Sequence, residues 1–550
     1  MQLRTIAFSI AGAAAVAAFV PRRAPADEPR ALFSASDRCL ACHNGLTTPS
    51  GEDVSIGFAW RASIMANAAR DPYWQAAVRR EIVDHPQASS SIQDECAACH
   101  MPMTRFQARV AGHEGQIFGH LGGGPRAGGA DPLAVDGVSC SLCHQLQNGG
   151  RGLEHDGELR IDLTRAWGDR LIFGPYDVPP ARARVMHSSA GFVPARANNL
   201  ASAELCSTCH TLYTTPVASA GPPAGSGSHD AQPFPEQVPY LEWRASAYAR
   251  EKTGKTCQAC HMTFTTQPVP AASVLAPARD HFARHGFQGA NFFMLAMLER
   301  YRSELDVAAL PQELSLSRQR TLELLHTSAA TVTLSHVELR GDVLEAEVAV
   351  GNLSGHKLPT AYPSRRAWLR FVVRDSRDRM LFSSGGLRPD GSIEGNDNDR
   401  DPLAFEPHYR VIATPEQVQI YEAIMLDAQG RVTTGLLSAT RYGKDNRLLP
   451  DGFDKASAGQ DYAVQGDARA DPDFQGGGDH VAYEVRLPAR PDGPLRVDVE
   501  LLYQPIAFRW AHNLTPYGSA PEPARFVGYY EAMSAGSATT LAAATARVAP

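Results

Sequence analysis

The stretch Cys257-Gln258-Ala259-Cys260-His261 shows a pattern, Cys-x-x-Cys-His, that occurs five times in this 550-residue chain. We call these pentads motifs 1 to 5; they span residues 39–43, 96–100, 140–144, 206–210 and 257–261. Together they contain all ten cysteines of the sequence. The spacing is typical of a c-type haem attachment site, where two thiols bond to the porphyrin and the histidine binds iron from below.

The motifs therefore predict five covalently bound haem c groups. The predicted thioether residues are Cys39, Cys42, Cys96, Cys99, Cys140, Cys143, Cys206, Cys209, Cys257 and Cys260. The predicted proximal iron ligands are His43, His100, His144, His210 and His261. A thioredoxin-like motif needs no trailing histidine, zinc sites pair their Cys-x-x-Cys knuckles, and a disulfide framework spreads its cysteines irregularly. None of these alternatives explains five complete pentads.

Residues 1–26 have the features of a secretory signal peptide. Arg4 precedes an apolar stretch over 6–20, and small residues follow at Ala24-Pro25-Ala26. The alternative is an uncleaved anchor, although the stretch is short for a membrane span. We expect the mature chain in the periplasm of a bacterium, or secreted or at the cell surface.

The charge limits the choice of partner. The formal net charge is −7, and it becomes −10 once the three arginines of residues 1–26 are removed. Nucleic acid and anionic membrane surfaces are disfavoured by this balance. A redox partner protein of basic charge, such as another cytochrome, is compatible with it.

The chain divides into two parts, which predicts an α+β multidomain fold. Residues 27–320 carry every motif and short helical patches, notably over 60–83 and 291–302, and are expected to wrap haems. Residues 321–515 alternate apolar and polar positions, as over 343–348, 368–373 and 481–485, and predict an antiparallel, immunoglobulin-like β-sandwich. Residues 516–550 are expected to form a loop and a C-terminal helix.

The second axial ligand of each iron comes from a remote segment, so the sequence can only rank candidates. Our candidates are His120, His187, His285 and His356. Met65 and Met103 are weaker candidates, because buried methionine usually serves packing. The alternative for each histidine is a surface or core residue bonded to the backbone or to a propionate.

Several stretches resemble bacterial multihaem cytochromes c. They are residues 65–74, 136–144 and 205–213 in the first part and 355–366 and 444–450 in the second. The first part is similar to the tetrahaem electron carrier of the hydroxylamine-oxidising pathway. The resemblance implies electron transfer with bis-histidine ligation. Such proteins often have a histidine where this chain has Asn198 and Asn199, which makes His187 a substitute.

Some members of this family are enzymes, so an alternative function stays open. That alternative is an oxidoreductase acting on a small nitrogen or sulfur compound at one open haem. The lysine-containing motif of the nitrite-reducing type is absent from the sequence. A third alternative is a binding module whose β-domain docks the cytochrome to a partner.

A calcium site is a further prediction. Residues 396–401, Asn-Asp-Asn-Asp-Arg-Asp, place oxygen ligands at alternate positions, and Glu406 and Glu422 could complete the set. The alternative is a solvated acidic turn, because the glycine and glutamate spacing of an EF-hand is missing.

Overall fold

The structure is a computed structural model that describes residues 32–122, 130–147, 155–166, 168–217, 232–250, 254–488 and 493–549. The predicted signal peptide of residues 1–26 lies outside the described residues. Within the described ranges, no helix combines the length and the apolar character that crossing a membrane would require.

The first half, residues 32–328, consists mainly of short helices joined by irregular connections. Its described residues form α1 (Asp37–Leu40), α2 (Ile56–Arg61), α3 (Pro72–Asp84), α4 (Ser89–His100), α5 (Pro102–Val110), α6 (Pro132–Val135), α7 (Cys140–Cys143), α8 (Pro180–Ala190), α9 (Glu204–His210), α10 (Pro239–Arg244), α11 (Cys257–His261), α12 (Phe292–Arg300) and α13 (Pro311–Ser328). Three small sheets pair β1 (Leu171–Gly174) with β2 (Val193–Arg196), β3 (Leu212–Thr214) with β4 (Phe234–Gln237), and β5 (Val269–Pro270) with β6 (Ala278–Arg279).

The helical patch predicted over 60–83 is divided into α2 and α3. The side chain of Asp71 accepts hydrogen bonds from the backbone N–H groups of Tyr73 and Trp74 at 2.8 and 3.1 Å. Pro72 occupies the first helical position of α3. Because a proline disfavours helical geometry in the residue before it, a new helix starts here. The second predicted patch corresponds to α12.

The β half, residues 330–549, is built from longer strands. It contains β7 (Ala330–Arg340), β8 (Val343–Asn352), β9 (Arg366–Arg374), β10 (Met380–Ser384), β11 (Val411–Ile412), β12 (Ile420–Tyr421), β13 (Ala423–Asp427), β14 (Val432–Thr433), β15 (Ala439–Asp445), β16 (Gly478–Arg486), β17 (Leu495–Gln504) and β18 (Thr539–Val548). Its helices are α14 (Asp397–Arg400), α15 (Phe508–His512) and α16 (Pro521–Glu531).

Two sheets of the β half pack face to face. One has the order β10-β9-β17-β18, with β12 paired to β9, and the other has the order β11-β16-β8-β7. Phe371 of β9 and Tyr483 of β16 stack between them, with ring centres 3.9 Å apart. The mixed α+β architecture is confirmed, whereas the immunoglobulin-like strand order stays a prediction.

Two details differ from the sequence-based prediction. Residues 539–548 form strand β18, although a C-terminal helix was expected beyond residue 516; the helix present there is the shorter α16. The alanine-rich segment favours a helix, but it pairs with β17 along nearly its whole length, and this tertiary pairing outweighs local propensity. In addition, β11 pairs in parallel with β16, so the sheets are not entirely antiparallel.

One hydrophobic cluster runs through both halves. It joins Tyr73 of α3 and Phe293 of α12 to the inner faces of the two sheets and to Phe526 of α16. The ring centres of Tyr73 and Phe526 are 5.0 Å apart. The boundary predicted between residues 320 and 321 falls inside α13. The halves therefore share a core.

Candidate haem-binding sites

Each motif lies in or directly after a short helix. Helices α4, α9 and α11 end at the motif histidine, and α1 and α7 end within their motifs. Positions i, i+3 and i+4 of a helix share one face, so the two thiols and the imidazole of a motif point to the same side. All ten cysteines are free thiols. This arrangement suits two thioether bonds and one iron ligand per motif.

Four of the five motif histidines are oriented through their Nδ1 atoms. Each makes a hydrogen bond from Nδ1 to a backbone carbonyl: His43 to Ala271 at 2.6 Å, His100 to Ala68 at 2.9 Å, His144 to Phe173 at 2.6 Å, and His261 to Gln288 at 2.5 Å. Such a bond places the proton on Nδ1 and leaves Nε2 free to bind a metal.

Two predicted distal histidines lie opposite motif histidines. The ring centres of His144 and His285 are 6.4 Å apart with an interplanar angle of 14°. Those of His261 and His356 are 6.3 Å apart with an angle of 15°. Two imidazoles that bind one metal ion from opposite sides, each at about 2.0–2.1 Å, have ring centres about 6.4 Å apart. Both pairs match the spacing of axial ligands.

Burial favours the neutral form of His144, His285 and His356. It lowers the pKa of His285 to about 4, and it also lowers the pKa values of His144 and His356. The neutral imidazole is the form that binds a metal ion. The burial of these three imidazoles is therefore compatible with an iron between the rings of each pair.

His356 is held in a tight loop that follows β8. Its carbonyl oxygen accepts hydrogen bonds from Asn352 Nδ2 at 2.8 Å and from Ser354 Oγ at 3.0 Å. Its Nδ1 makes a hydrogen bond to the carbonyl of Lys357 at 2.9 Å. The β half thus presents Nε2 of His356 to motif 5 of the first half.

The other two predicted distal histidines have different surroundings. His120 Nδ1 lies 3.1 Å from a carboxylate oxygen of Asp131. His187 is exposed, and its Nε2 hydrogen-bonds to the carbonyl of Gly168. Among the described residues, neither ring stands opposite a motif histidine in the way that His285 and His356 do.

The two candidate methionine ligands and the two asparagines at 198 and 199 have structural contacts. Met103 is fully buried beside Phe33 and Leu142. Met65 is half-buried, and its carbonyl accepts the backbone N–H of Val138 at 3.1 Å. The side-chain amide of Asn199 donates to the carbonyl of Leu146 at 2.7 Å, while Asn198 lies at the start of a short turn.

Two residues beside the motifs were missed by sequence reasoning. Trp74 stacks on His100 with ring centres 4.3 Å apart and an interplanar angle of 2°. His85 is 3% exposed, and neither of its ring nitrogens has a hydrogen-bond partner. A buried imidazole without partners is costly, and binding to iron would satisfy it. Its only sequence signal is its position at the end of a helix, before Pro86.

Thiols of different motifs lie close together. The thiols of Cys39 and Cys140, and those of Cys206 and Cys257, lie close enough to shift one another's pKa. The thiol of Cys99 lies close enough to Cys209 to raise the pKa of Cys209. Cys143 also lies close enough to Cys206 and Cys209 to act on them electrostatically. Motif 1 is therefore adjacent to motif 3, and motif 4 is adjacent to motifs 2, 3 and 5.

Apolar side chains are exposed beside motif 1. Ser273 donates its backbone N–H to the carbonyl of Cys42 at 2.8 Å, and the next residues, Val274 and Leu275, are 45% and 71% exposed. The face of a porphyrin would cover such side chains. Together with the free thiols, the oriented imidazoles and His85, whose ring nitrogens make no hydrogen bond, these residues fit haem c.

The predicted calcium site does not form. The carboxylate of Asp399 is paired with Arg366 at 2.8 and 2.9 Å, and Glu422 is paired with Lys444 at 3.0 Å. Glu406 accepts hydrogen bonds from the backbone of Asp397 and from the hydroxyl of Tyr409. These carboxylates have protein partners and do not converge on one point.

A buried group of His408, Asp471 and Asp479 has the composition of a metal site. The side-chain amides of Gln419 and Asn446 donate to His408 Nδ1 at 2.8 and 3.0 Å. Backbone N–H groups bind the oxygens of both amides and so fix their orientation. Nδ1 is therefore an acceptor, and Nε2 carries the proton and donates it toward Asp471 at 3.2 Å. The group is a hydrogen-bond network.

Comparison with known proteins gives a likeness of fold. The structure is similar to the crystal structure of a penta-haem cytochrome c552 from Thermochromatium tepidum, with a TM-score of 0.51 and 17% sequence identity. The match covers 94% of this chain and 99% of that chain. No family model matches the sequence, and no curated protein matches it. The similarity concerns the fold, so the resemblance to the tetrahaem carrier stays a prediction.

Proposed function

We propose that the protein is an electron carrier outside the bacterial cytoplasm, with one haem c on each of its five motifs. A bound haem supplies one-electron chemistry through its iron. The main support is the proximity of thiols of different motifs, which lie close enough for one to shift the pKa of the other. Because a porphyrin is attached at these thiols, proximity of the thiols brings attachment sites together.

The proximity of these thiols supports an order of motifs that differs from the order in the sequence. Motifs 1, 3 and 4 follow one another, and motifs 2 and 5 are each adjacent to motif 4. Motif 4 is therefore the branch point of the proposed relay. Motifs 1, 2 and 5 are its ends.

The opposed histidine pairs support relay over catalysis at two motifs. We assign His285 as the second ligand for motif 3 and His356 as the second ligand for motif 5, from their ring spacings of 6.4 and 6.3 Å. Two histidines close both axial positions of an iron, which favours electron transfer over substrate binding. The negative charge of the chain supports a basic redox protein as partner.

Mass spectrometry and redox titration test this proposal together. The protein is produced with the haem-attachment machinery, and its mass is expected to show five added haems. Stepwise reduction followed by visible spectroscopy is expected to show several one-electron transitions from low-spin haems. A mass gain well short of five haems would contradict the proposal.

A second candidate function is reduction of a small nitrogen or sulfur compound beside motif 2. It is favoured by the buried carboxyl group of Glu236, which lies close enough to Cys96 to act on it electrostatically. Burial, with the nearby carboxylates of Glu81, Asp156 and Glu95, raises the pKa of Glu236 to about 8. The raised pKa favours the protonated form of Glu236, which can donate a proton. A high-spin band that shifts with nitrite, hydroxylamine or cyanide would support this function.

A further inference from the structure

Four buried charged side chains join the two halves next to the loop that carries His356. Lys357, Asp445 and Arg447 belong to the β half, and Glu242 belongs to α10 of the first half. Their side chains are between 0 and 6% exposed. Lys357 Nζ lies 2.6 Å from Asp445, and Arg447 lies 2.8 Å from Asp445 and 3.0 Å from Glu242. The two positive and two negative charges balance.

Glu242 contacts the His356 loop directly. Its Oε2 accepts a hydrogen bond from the backbone N–H of Lys357 at 3.1 Å and another from the hydroxyl of Thr360. The N–H of Lys357 belongs to the same peptide group as the carbonyl of His356. One carboxylate of the first half therefore fixes the peptide plane that follows the proposed iron ligand.

The same helix is also tied to motif 5. Trp243, the residue after Glu242, donates from Nε1 to the carbonyl of Lys255 at 2.9 Å, two residues before Cys257. Helix α10 thus contacts the segment that presents His261 and the loop that presents His356. A shift of α10 would change the spacing between these two imidazoles.

We propose that Glu242 is a positioning residue for the sixth ligand of the haem on motif 5. The inference rests on the proposed function, in which His356 binds that iron. Removal of the Glu242 charge leaves the group with one buried positive charge in excess, and it weakens the hydrogen bonds that this side chain accepts from the loop. Both effects favour displacement of His356 from the iron. The extra positive charge also stabilises the reduced haem over the oxidised one.

Glu242→Gln tests the proposal, with Asp399→Asn as the matched control. Asp399 forms a buried ion pair with Arg366 in the β half, and none of its hydrogen bonds involves the His356 loop. Haem content is measured by mass, spin state by electron paramagnetic resonance, and midpoint potentials by spectroelectrochemical titration. In Glu242→Gln we expect five haems, with one of them partly high-spin and raised in potential. In Asp399→Asn we expect all five haems to keep the wild-type spectrum.

Thr360→Val provides a milder variant in case Glu242→Gln does not accumulate. It removes one hydrogen bond to Glu242 and no charge, so a smaller high-spin fraction of the same haem is expected. His356→Ala separates the two proposals. If His356→Ala produces a high-spin haem while Glu242→Gln and Thr360→Val leave spin state and potentials unchanged, the positioning role is overturned alone. If His356→Ala changes nothing, the ligand assignment itself fails.

Discussion

Replacement of either of the two opposed histidines should convert a fixed fraction of the haem from low-spin to high-spin. His285 and His356 each face a motif histidine at a ring spacing of 6.3–6.4 Å, and each belongs to a different motif. Since the chain has five motifs, each replacement by alanine should convert one fifth of the total haem from low-spin to high-spin. The double variant should convert two fifths, because the two sites share no ligand. The proximal Nδ1 bonds of His144 and His261 are untouched, so five haems should remain attached.

The assay is integration of the low-spin and high-spin ferric signals in the oxidised protein, with mass spectrometry on the same samples. His336→Ala is the control, because His336 has a 76% exposed side chain and pairs only with Glu347 among the described residues. Added cyanide should restore the low-spin state of the alanine variants by binding at the vacated position. An unchanged low-spin spectrum in either single variant would refute its assignment. A double variant no different from the singles would refute the independence of the two sites.

Three further predictions address attachment, stability and pH. Replacement of Cys257 and Cys260 by alanine should lower the mass by one haem, and a loss of two or more would show that motifs 4 and 5 are loaded together. Arg366→Met should lower the free energy of unfolding by about 3–5 kcal/mol in denaturant titrations, because Asp399 is left buried without its partner; a change below about 1 kcal/mol would contradict this. Burial opposes ionisation of Asp445, but Arg447 and Lys357 outweigh it and hold its pKa at about 2, so its ionised form should contribute about 2 kcal/mol of stability above pH 4. That contribution should be lost as the pH falls through 2, and Asp445→Asn should flatten this acid limb in circular dichroism; equal acid limbs would count against the assignment.

Local sequence patterns were sufficient to predict much of the architecture. The pentads predict five attachment sites, each of which lies in or directly after a short helix. The period-two segments over 343–348, 368–373 and 481–485 are strands of the two packed sheets. In these segments the pattern and the tertiary contacts agree. Segment 539–548 is the exception, because its alanines favour a helix while its pairing with β17 imposes a strand.

Part of the candidate site could not be predicted, because it depends on contacts between remote residues. The unusual turn around His356 is sufficient to make it a candidate ligand. The neighbouring residues in the sequence do not indicate that it faces motif 5. Glu242 is 114 residues from His356 and appears in the sequence as an ordinary helical glutamate. The positions of His85 and Trp74 relative to motif 2 likewise depend on the packing of α3 against α4, which the sequence does not show.

The shared core explains how a ligand can be supplied from the β half. An axial bond of about 2.0–2.1 Å tolerates little displacement, so the element that carries the ligand must be fixed relative to the motif. Close-packed interiors resist such displacement. Here one hydrophobic cluster joins the two halves, and Glu242 links them by hydrogen bonds at the ligand loop itself. The β half therefore belongs to the proposed haem site of motif 5 as a structural part of it.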